Sequence, residues 1–232
     1  GSYFSSVPDL IIYNSVRSLN QHRDIGFNKK RDFFIPNGFD IKVWKPNKEI
    51  RLNLRNKYRI SNTTKVIGYV GRGDDQKDIP TLFKAFDKVC RKHSNVILVT
   101  IGRTLNKYST NNKNVIFLGQ QSNVHDLMNM FDLLCLSSKA EGFPNVIGEA
   151  MSTGIPCVTT DVGDAKDIVG ETGWISPPND PASLAKCLDN ALKNSNRKLN
   201  EYGKISRKKI IDNFSIDSVK NQYISLYNST LK

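Results

Sequence analysis

Cysteine, histidine and long apolar runs are all scarce in this 232-residue chain, and each scarcity removes a class of function. The four cysteines (Cys90, Cys135, Cys157, Cys187) form no C-x-x-C pair, and three of them lie in apolar or helical stretches. Zinc-ribbon and dithiol redox chemistry are excluded on that spacing, and buried free thiols in a reducing compartment are expected. The three histidines, His22, His93 and His125, are scattered, so no metal site is expected. No apolar run approaches the roughly 18 residues that a membrane span needs. The N-terminus has no basic region leading into an apolar stretch, so no leader is expected either. Internal repeats and low-complexity tracts are also missing.

Positive charge is plentiful. Lys and Arg number 34 against 22 Asp and Glu, a net charge of +12. Such a surplus favours an anionic partner, whether nucleic acid, an acidic membrane surface or a phosphorylated small molecule, and does not choose among them. Hydrophobic residues make up 38% and charged residues 24%, enough for a core in one large domain or two small ones.

From residue 65 onward, short apolar runs alternate with helical segments. The strand candidates are Lys65–Val70, Asn95–Ile101, Val115–Leu118, Asp132–Leu136, Pro156–Thr160 and Gly173–Ser176. Each is rich in Val, Ile and Leu and apolar on both faces, as in a buried parallel sheet. Helix starts are readable between them. Asp78 with Pro80 opens Thr81–Lys92, Asn123 opens Val124–Phe131, and Asn145 opens Val146–Thr153, which Gly154 stops. Asp180-Pro181 opens Ala182–Asn194. This alternation predicts right-handed βαβ crossovers and a Rossmann-like α/β fold with a doubly wound parallel sheet of about six strands.

The flanks differ. "PDLIIYNS" reads as one isolated strand, followed by a helix and an extended connector, "FFIPNGFDIKVWKP". After residue 197 the chain reads as helix to its end, with an apolar core stripe of Phe214, Val219, Tyr223, Leu226 and Tyr227. Arg197, Lys198, Lys204, Arg207, Lys208 and Lys209 are expected to form a solvated or membrane-facing helix surface.

In a doubly wound sheet, ligands bind where strands end and loops lead into helices. Four such loops here carry unusual chemistry. In "GYVGRGDDQKDIP" (68–80), Gly71 frees the backbone, Arg72 follows, and Lys77 sits just before a helix. No Gly-Lys-Ser/Thr closes the loop, so it is not a P-loop. An Arg fork and a Lys point charge suit a diphosphate, but a solvated loop balanced by Asp74, Asp75 and Asp78 accounts for them equally. In "LGQQSN" (118–123), the backbone of Gln120 and Gln121 is placed to meet a nucleobase edge, though an ordinary βα turn would read the same. In "EGFPNVIGEA" (141–150), Glu141 ends a strand loop and Glu149 lies about one turn inside the next helix. Two carboxylates so placed suit two sets of sugar hydroxyls, or are simply surface charges. The fourth loop, "TTDVGDAKDIV", either lines the pocket or caps it.

As a set, "IPNGFD" (35–40), "GYVGRGDDQKD" (68–78), "VIFLG" (115–119), "EGFPNVIGEAMSTGIPCVTTDVGD" (141–164) and "ETGWISPPNDPASLA" (171–185) resemble the retaining nucleotide-sugar glycosyltransferases of the two-domain GT-B fold (glycosyl transferases group 1). The likeness is to the C-terminal, donor-binding domain and runs from about residue 9 to 230.

The resemblance implies that Arg72 and Lys77 grip the donor diphosphate beside Gly71, and that the backbone of Gln121 meets the base. It implies that Glu141 contacts donor-sugar hydroxyls, that Gly142, Phe143, Pro144 and Asn145 turn backbone amides toward sugar and phosphate, and that Glu149 binds the ribose. Glu141, Arg72 and Lys77 would be the catalytic set, with no metal and no cofactor beyond the nucleotide-sugar donor. Two features depart from the family pattern. Asp78 stands where Gly is frequent, and "GRTLNKYSTNNKN" lacks a Gly-rich turn and reads as a surface loop.

On the same resemblance, residues 1–46 hold the last strand and helix of an N-terminal domain plus a linker. Residues 47–213 form the donor-binding domain, and 214–232 a helix packing back toward the N-terminal domain. The acceptor, a sugar or lipid-linked sugar, would bind through that preceding domain, so this chain alone would bind donor and transfer nothing. A cytoplasmic setting is implied, peripheral at the inner face of the plasma membrane, with weak contact to anionic lipid. Two other readings stand beside this one: a sugar-nucleotide binding module without transferase activity, and a nucleic-acid-binding domain. The latter finds no helix-turn-helix, zinc spacing or aromatic-basic platform.

Overall fold

Runs of β-branched and leucine residues, apolar on both faces, need helices on both sides, and the fold supplies them. The computed structural model describes residues 2–230 apart from Arg31 and Ser109. The outer limits expected for the first and last segments, Gly1 and Leu231–Lys232, lie outside the described residues.

The main sheet has six parallel strands: β3 (Lys65–Val70), β4 (Val96–Ile101), β5 (Val115–Phe117), β6 (Leu133–Leu136), β7 (Cys157–Thr160) and β8 (Trp174–Ser176). Their spatial order is β5-β4-β3-β6-β7-β8. The chain winds outward from β3 through β4 to β5, then returns to lay β6 beside β3 and winds the other way. The doubly wound sheet is therefore as expected, and its strands match the sequence candidates to within a residue. The crossover helices are α3 (Ile79–Cys90), α4 (Val124–Leu127), α5 (Asn145–Ser152) and α6 (Ala165–Val169), and α7 (Pro181–Leu192) follows the last strand. One core cluster, with Ile67, Leu82, Phe86, Leu98, Leu133 and Leu188, lies on one face of the sheet. A second, with Val66, Met128, Phe131, Ile147 and Ile168, lies on the other.

The predicted helix over 124–131 is shorter than expected. It is α-helical only to Leu127 and finishes as a 3₁₀ turn, Met128–Met130. The strand in "PDLIIYNS" is not isolated. β1 (Ile11–Tyr13) pairs in parallel with β2 (Asp32–Phe34), with α1 (Val16–Asp24) as their crossover. Three-residue strands are too short for period-two patterning to reveal them.

Sequence reading missed α2 (Lys48–Lys57), which is clamped by two arginines. Arg51 bonds the carbonyls of Asn129 and Phe131 at 3.0 and 2.8 Å and the Asp132 carboxylate at 2.6 Å. Arg55, 1% exposed, bonds the carbonyls of Met130, Ser61 and Thr64 and the other oxygen of Asp132. That oxygen also accepts from the Val66 amide at 2.7 Å. The amino ends of β3 and β6 are thereby tied together below the ligand-facing edge.

The C-terminal helix breaks at Ser215 into α8 (Asn196–Phe214) and α9 (Ile216–Thr230). Val219 and Leu226 of α9 pack with Ile35, Ile12 and Leu10, while Tyr227 is 53% exposed, so the expected apolar stripe is only partly core. On α8, Arg197, Lys198, Lys204 and Lys208 are exposed as a solvated basic face requires, whereas Arg207 and Lys209 depart from it. Arg207 turns inward to the carbonyls of Ile41, Trp44 and Ser152, and Lys209 bonds the Asp167 carbonyl. Arg197 and Lys198 pair with Glu201, and Lys208 with Asp212. Main-chain oxygens thus take up the two inward cations, while the exposed ones pair only at the surface. Among the described residues no helix is long and apolar enough to cross a membrane.

Candidate functional site

In an open α/β sheet the crevice opens where the strand order reverses, here between the carboxyl ends of β3 and β6. The loop after β3 carries Gly71, Arg72 and Lys77; the loop after β6 carries Glu141 and leads into α5. The fold brings two of these residues into direct contact. Lys77 Nζ donates to Glu141 Oε1 at 2.5 Å, with both side chains mostly shielded from water. Ser138 Oγ donates to the same oxygen at 2.7 Å.

The two loops are zipped together by further bonds. Ser137 Oγ donates to the Lys77 carbonyl at 2.8 Å, Lys139 N to the Gln76 carbonyl at 2.7 Å, and Gln76 Nε2 to the Ala140 carbonyl at 2.8 Å. Asp74 caps the turn that presents Lys77, accepting its amide at 3.1 Å. Sequence reading missed Ser137 and Ser138. The only signal for them was their position at the end of an apolar strand.

Arg72 does not join this contact. Its side chain is 57% exposed and reaches Asp74 at 3.4 Å. Gly71 is where close approach matters, since a Cβ there would lie 2.7 Å from the Tyr69 hydroxyl. The loop after β4 lies at the surface as expected, and it also braces this turn. Gly73 N donates to the Arg103 carbonyl at 2.9 Å, Thr104 Oγ1 donates to the Gly73 carbonyl at 3.0 Å, and Leu105 is buried beneath. Asp78 explains its own departure from the family pattern. It adopts a left-handed conformation (φ 48°), where Gly is favoured, and offsets this by capping α3 through the Thr81 amide.

Beside this turn lies a cavity of about 460 Å³ lined by Gly102, Arg103, Thr104, Phe117, Gly119 and Gln120 among others. Gln120 therefore faces the cavity. The side chain of Gln121 folds back, its Nε2 bonding the Leu118 carbonyl at 2.6 Å.

The segment from Glu141 to α5 is held from three sides. Phe143 is buried, stacked 6.1 Å from Phe39 and tilted against Phe214 at 5.9 Å, so its ring is a structural wedge. Pro144, not Asn145, is the residue before the helix, and a proline has no N–H to offer. The expectation that Pro144 supplies an amide is corrected on that chemistry; the open first-turn amides begin at Asn145. The Asn145 side chain caps nothing and accepts from Asn37 Nδ2 at 2.7 Å. Gly142 is fixed through its carbonyl, which accepts the Asp164 amide at 3.0 Å. Gly163 (φ 51°) allows this approach, because a Cβ there would lie 2.1 Å from the Gly142 oxygen.

The same turn resolves the fourth loop. Asp164, 4% exposed, accepts from Ser15 Oγ and from the amides of Val16 and Arg17, capping α1, while Arg17 pairs with Asp161 at 3.0 Å. That side chain ties the fourth loop to the start of α1.

Glu149 lies in α5, half-buried, with no side-chain hydrogen bond among the described residues. Burial pushes its carboxyl up from 4.5 to about 7. A folded-state value above the unfolded one contributes stability that is present below pH 4.5 and lost as pH rises through about 7. Melting temperatures of wild type and Glu149→Gln should therefore diverge between pH 5 and pH 8, the variant gaining relative to wild type. Parallel curves would show that the carboxyl is not desolvated. Among the described residues, no group of three His, Cys, Asp or Glu side chains is placed to hold a metal ion.

A doubly wound domain with a cation–carboxylate pair at its switch point and a cavity one strand along defines the class: an α/β domain with a polar crevice at the carboxyl ends of its strands. The family is then given by comparison. The family model for glycosyl transferases group 1 matches residues 50–209, and the chain belongs to that family. It is 31% identical over 191 residues to the capsular polysaccharide biosynthesis glycosyltransferase CapM of Staphylococcus aureus, covering 77% of this chain and 50% of that protein. It is 29% identical over 188 residues to N-acetyl-alpha-D-glucosaminyl L-malate synthase of Bacillus anthracis, with 77% and 49% covered. The chain thus spans about half the length of the curated relatives it matches. The crystal structure of Anabaena Alr3699/HepE in complex with UDP superimposes with a TM-score of 0.86 at 23% identity, over 95% of this chain and 64% of that one.

Proposed function

We propose that this chain is the donor-binding half of a retaining glycosyltransferase that binds a nucleoside-diphosphate sugar without a metal ion. The observation that carries the reading is the Lys77–Glu141 pair at the switch point, a cation for phosphate beside a carboxylate for hydroxyls. Glu149, desolvated and unpartnered on the next helix, is suited to the ribose. Gln120 and the backbone around Gln121 edge the cavity proposed for the base. Arg72, exposed beside Asp74, is free to swing onto a diphosphate. Family membership and relatives named for bacterial capsule synthesis support a role in polysaccharide, lipopolysaccharide or other glycoconjugate assembly.

In the longer enzyme the acceptor, a sugar or lipid-linked sugar, would bind through a domain joined at residues 1–46. Residues 47–213 would be the donor domain, and α9 would pack back toward the first domain. By itself this chain would bind donor and transfer no sugar.

Calorimetric titration with UDP, GDP and duplex DNA in moderate salt tests the reading. A nucleoside diphosphate should bind with shallow salt dependence, and DNA should not compete. Binding of DNA alone, falling steeply with salt, would replace the reading with a nucleic-acid module.

A further inference from the structure

Glu141 Oε1 accepts two hydrogen bonds, and the donors come from opposite loops of the crevice. Lys77 Nζ arrives from the β3 loop at 2.5 Å and Ser138 Oγ from the β6 loop at 2.7 Å. Ser138 is completely buried, and its own carbonyl is fixed by Thr160 Oγ1 of β7 at 2.7 Å. It therefore projects from a rigid strand end, while Glu141 sits in a loop and Lys77 ends a flexible chain of four methylenes. A carboxylate held only by a lysine leaves both side chains free to rotate together. The buried hydroxyl removes that freedom.

We propose that Ser138 is a positioning residue of the donor site: by holding Glu141 Oε1 it sets the place of the Lys77 ammonium at the crevice. Ser137 acts beside it on the main chain, its hydroxyl fixing the Lys77 carbonyl at 2.8 Å. One strand end thus fixes both the backbone and, through Glu141, the charge of the same lysine. The inference rests on the donor-site reading, but its geometry can be tested without it.

The experiment is a double-mutant cycle of Ser138→Ala and Glu141→Ala, with UDP and GDP as probes in calorimetry. In parallel, nitrogen-detected NMR follows the Lys77 ammonium resonance of the nucleotide-free protein. Loss of one hydrogen bond to a charged group, partly replaced by water, should weaken UDP binding by about three- to tenfold in Ser138→Ala. The same change in the Glu141→Ala background should be silent, because the hydroxyl then has nothing to hold. A purely structural serine would cost the same in both backgrounds, and that result would overturn the proposal. The Lys77 resonance should be sharp in wild type and broadened in Ser138→Ala. If neither nucleotide binds wild type, the donor reading fails and the resonance alone decides: broadening in Ser138→Ala upholds the positioning role, and an unchanged signal ends it.

Discussion

Arg55→Ala is expected to remove about 3–5 kcal/mol of stability, the usual cost of deleting one partner of a buried charged network. For a domain of this size that lowers the melting temperature by roughly 6–20 °C. The guanidinium is buried, so water cannot replace it. Its loss deprives the carbonyls of Met130 and Thr64 of the guanidinium, leaves the Ser61 carbonyl with the Thr64 amide alone, and leaves the Asp132 carboxylate with one arginine where it had two. Burial pulls the Arg55 pKa down from its usual value, and Asp132 opposes that shift. Arg55→Met fills part of the volume without restoring the donors and should recover only part of the loss. Because Arg55 works at the amino ends of the strands, nucleotide affinity measured well below the transition should stay near the wild-type value. An unchanged urea midpoint in Arg55→Ala would show that the network is dispensable, and a large affinity loss in a folded variant would show that it reaches the site.

That arginine also shows where sequence reading stopped. The six strands were legible because a buried parallel sheet writes an unbroken run of Val, Ile and Leu, and helix starts were legible where Asp78 and Asp180 stand at caps. Arg51 and Arg55 lie four apart in a polar stretch that drew no reading at all; only the tertiary fold shows that Asp132, far along the chain, meets both. Arg207 misled in the same way. The candidate site was legible residue by residue in its loops, yet its internal bonding was not. Nothing local says that Lys77 and Glu141 touch, since that contact comes from the reversal of strand order. Phe143 was expected to offer its backbone amide, and nothing local announced that its ring is a wedge between Phe39 and Phe214.

Lys77→Ala is expected to cut sugar transfer by the full-length enzyme about 100- to 1000-fold, the range seen when one preorganised stabiliser of developing charge is removed. In the proposed reaction the bond from the anomeric carbon to the diphosphate oxygen breaks, the acceptor oxygen bonds that carbon with retained configuration, and the hydroxyl proton leaves with the diphosphate. Negative charge accumulates on the departing diphosphate, and in this proposal it would be met by Lys77, by Arg72 once it leaves Asp74, and by the first-turn amides of α5 from Asn145 onward. Donor affinity of this chain should fall as well, by about tenfold, for loss of one charged hydrogen bond. Arg72→Ala should cost less in affinity than Lys77→Ala, because Arg72 starts exposed and must leave Asp74 to reach a ligand. Glu149→Ala should mainly weaken donor binding, whereas Glu141→Ala should lower turnover too, since it frees Lys77 as well as the sugar hydroxyls. With lysine and arginine in the place of a cation, activity should survive EDTA. Lys77→Ala retaining wild-type turnover, or activity abolished by chelation and restored by a divalent ion, would put the stabilising charge elsewhere. Transfer by residues 1–232 alone would mean that the acceptor, too, is bound within this half.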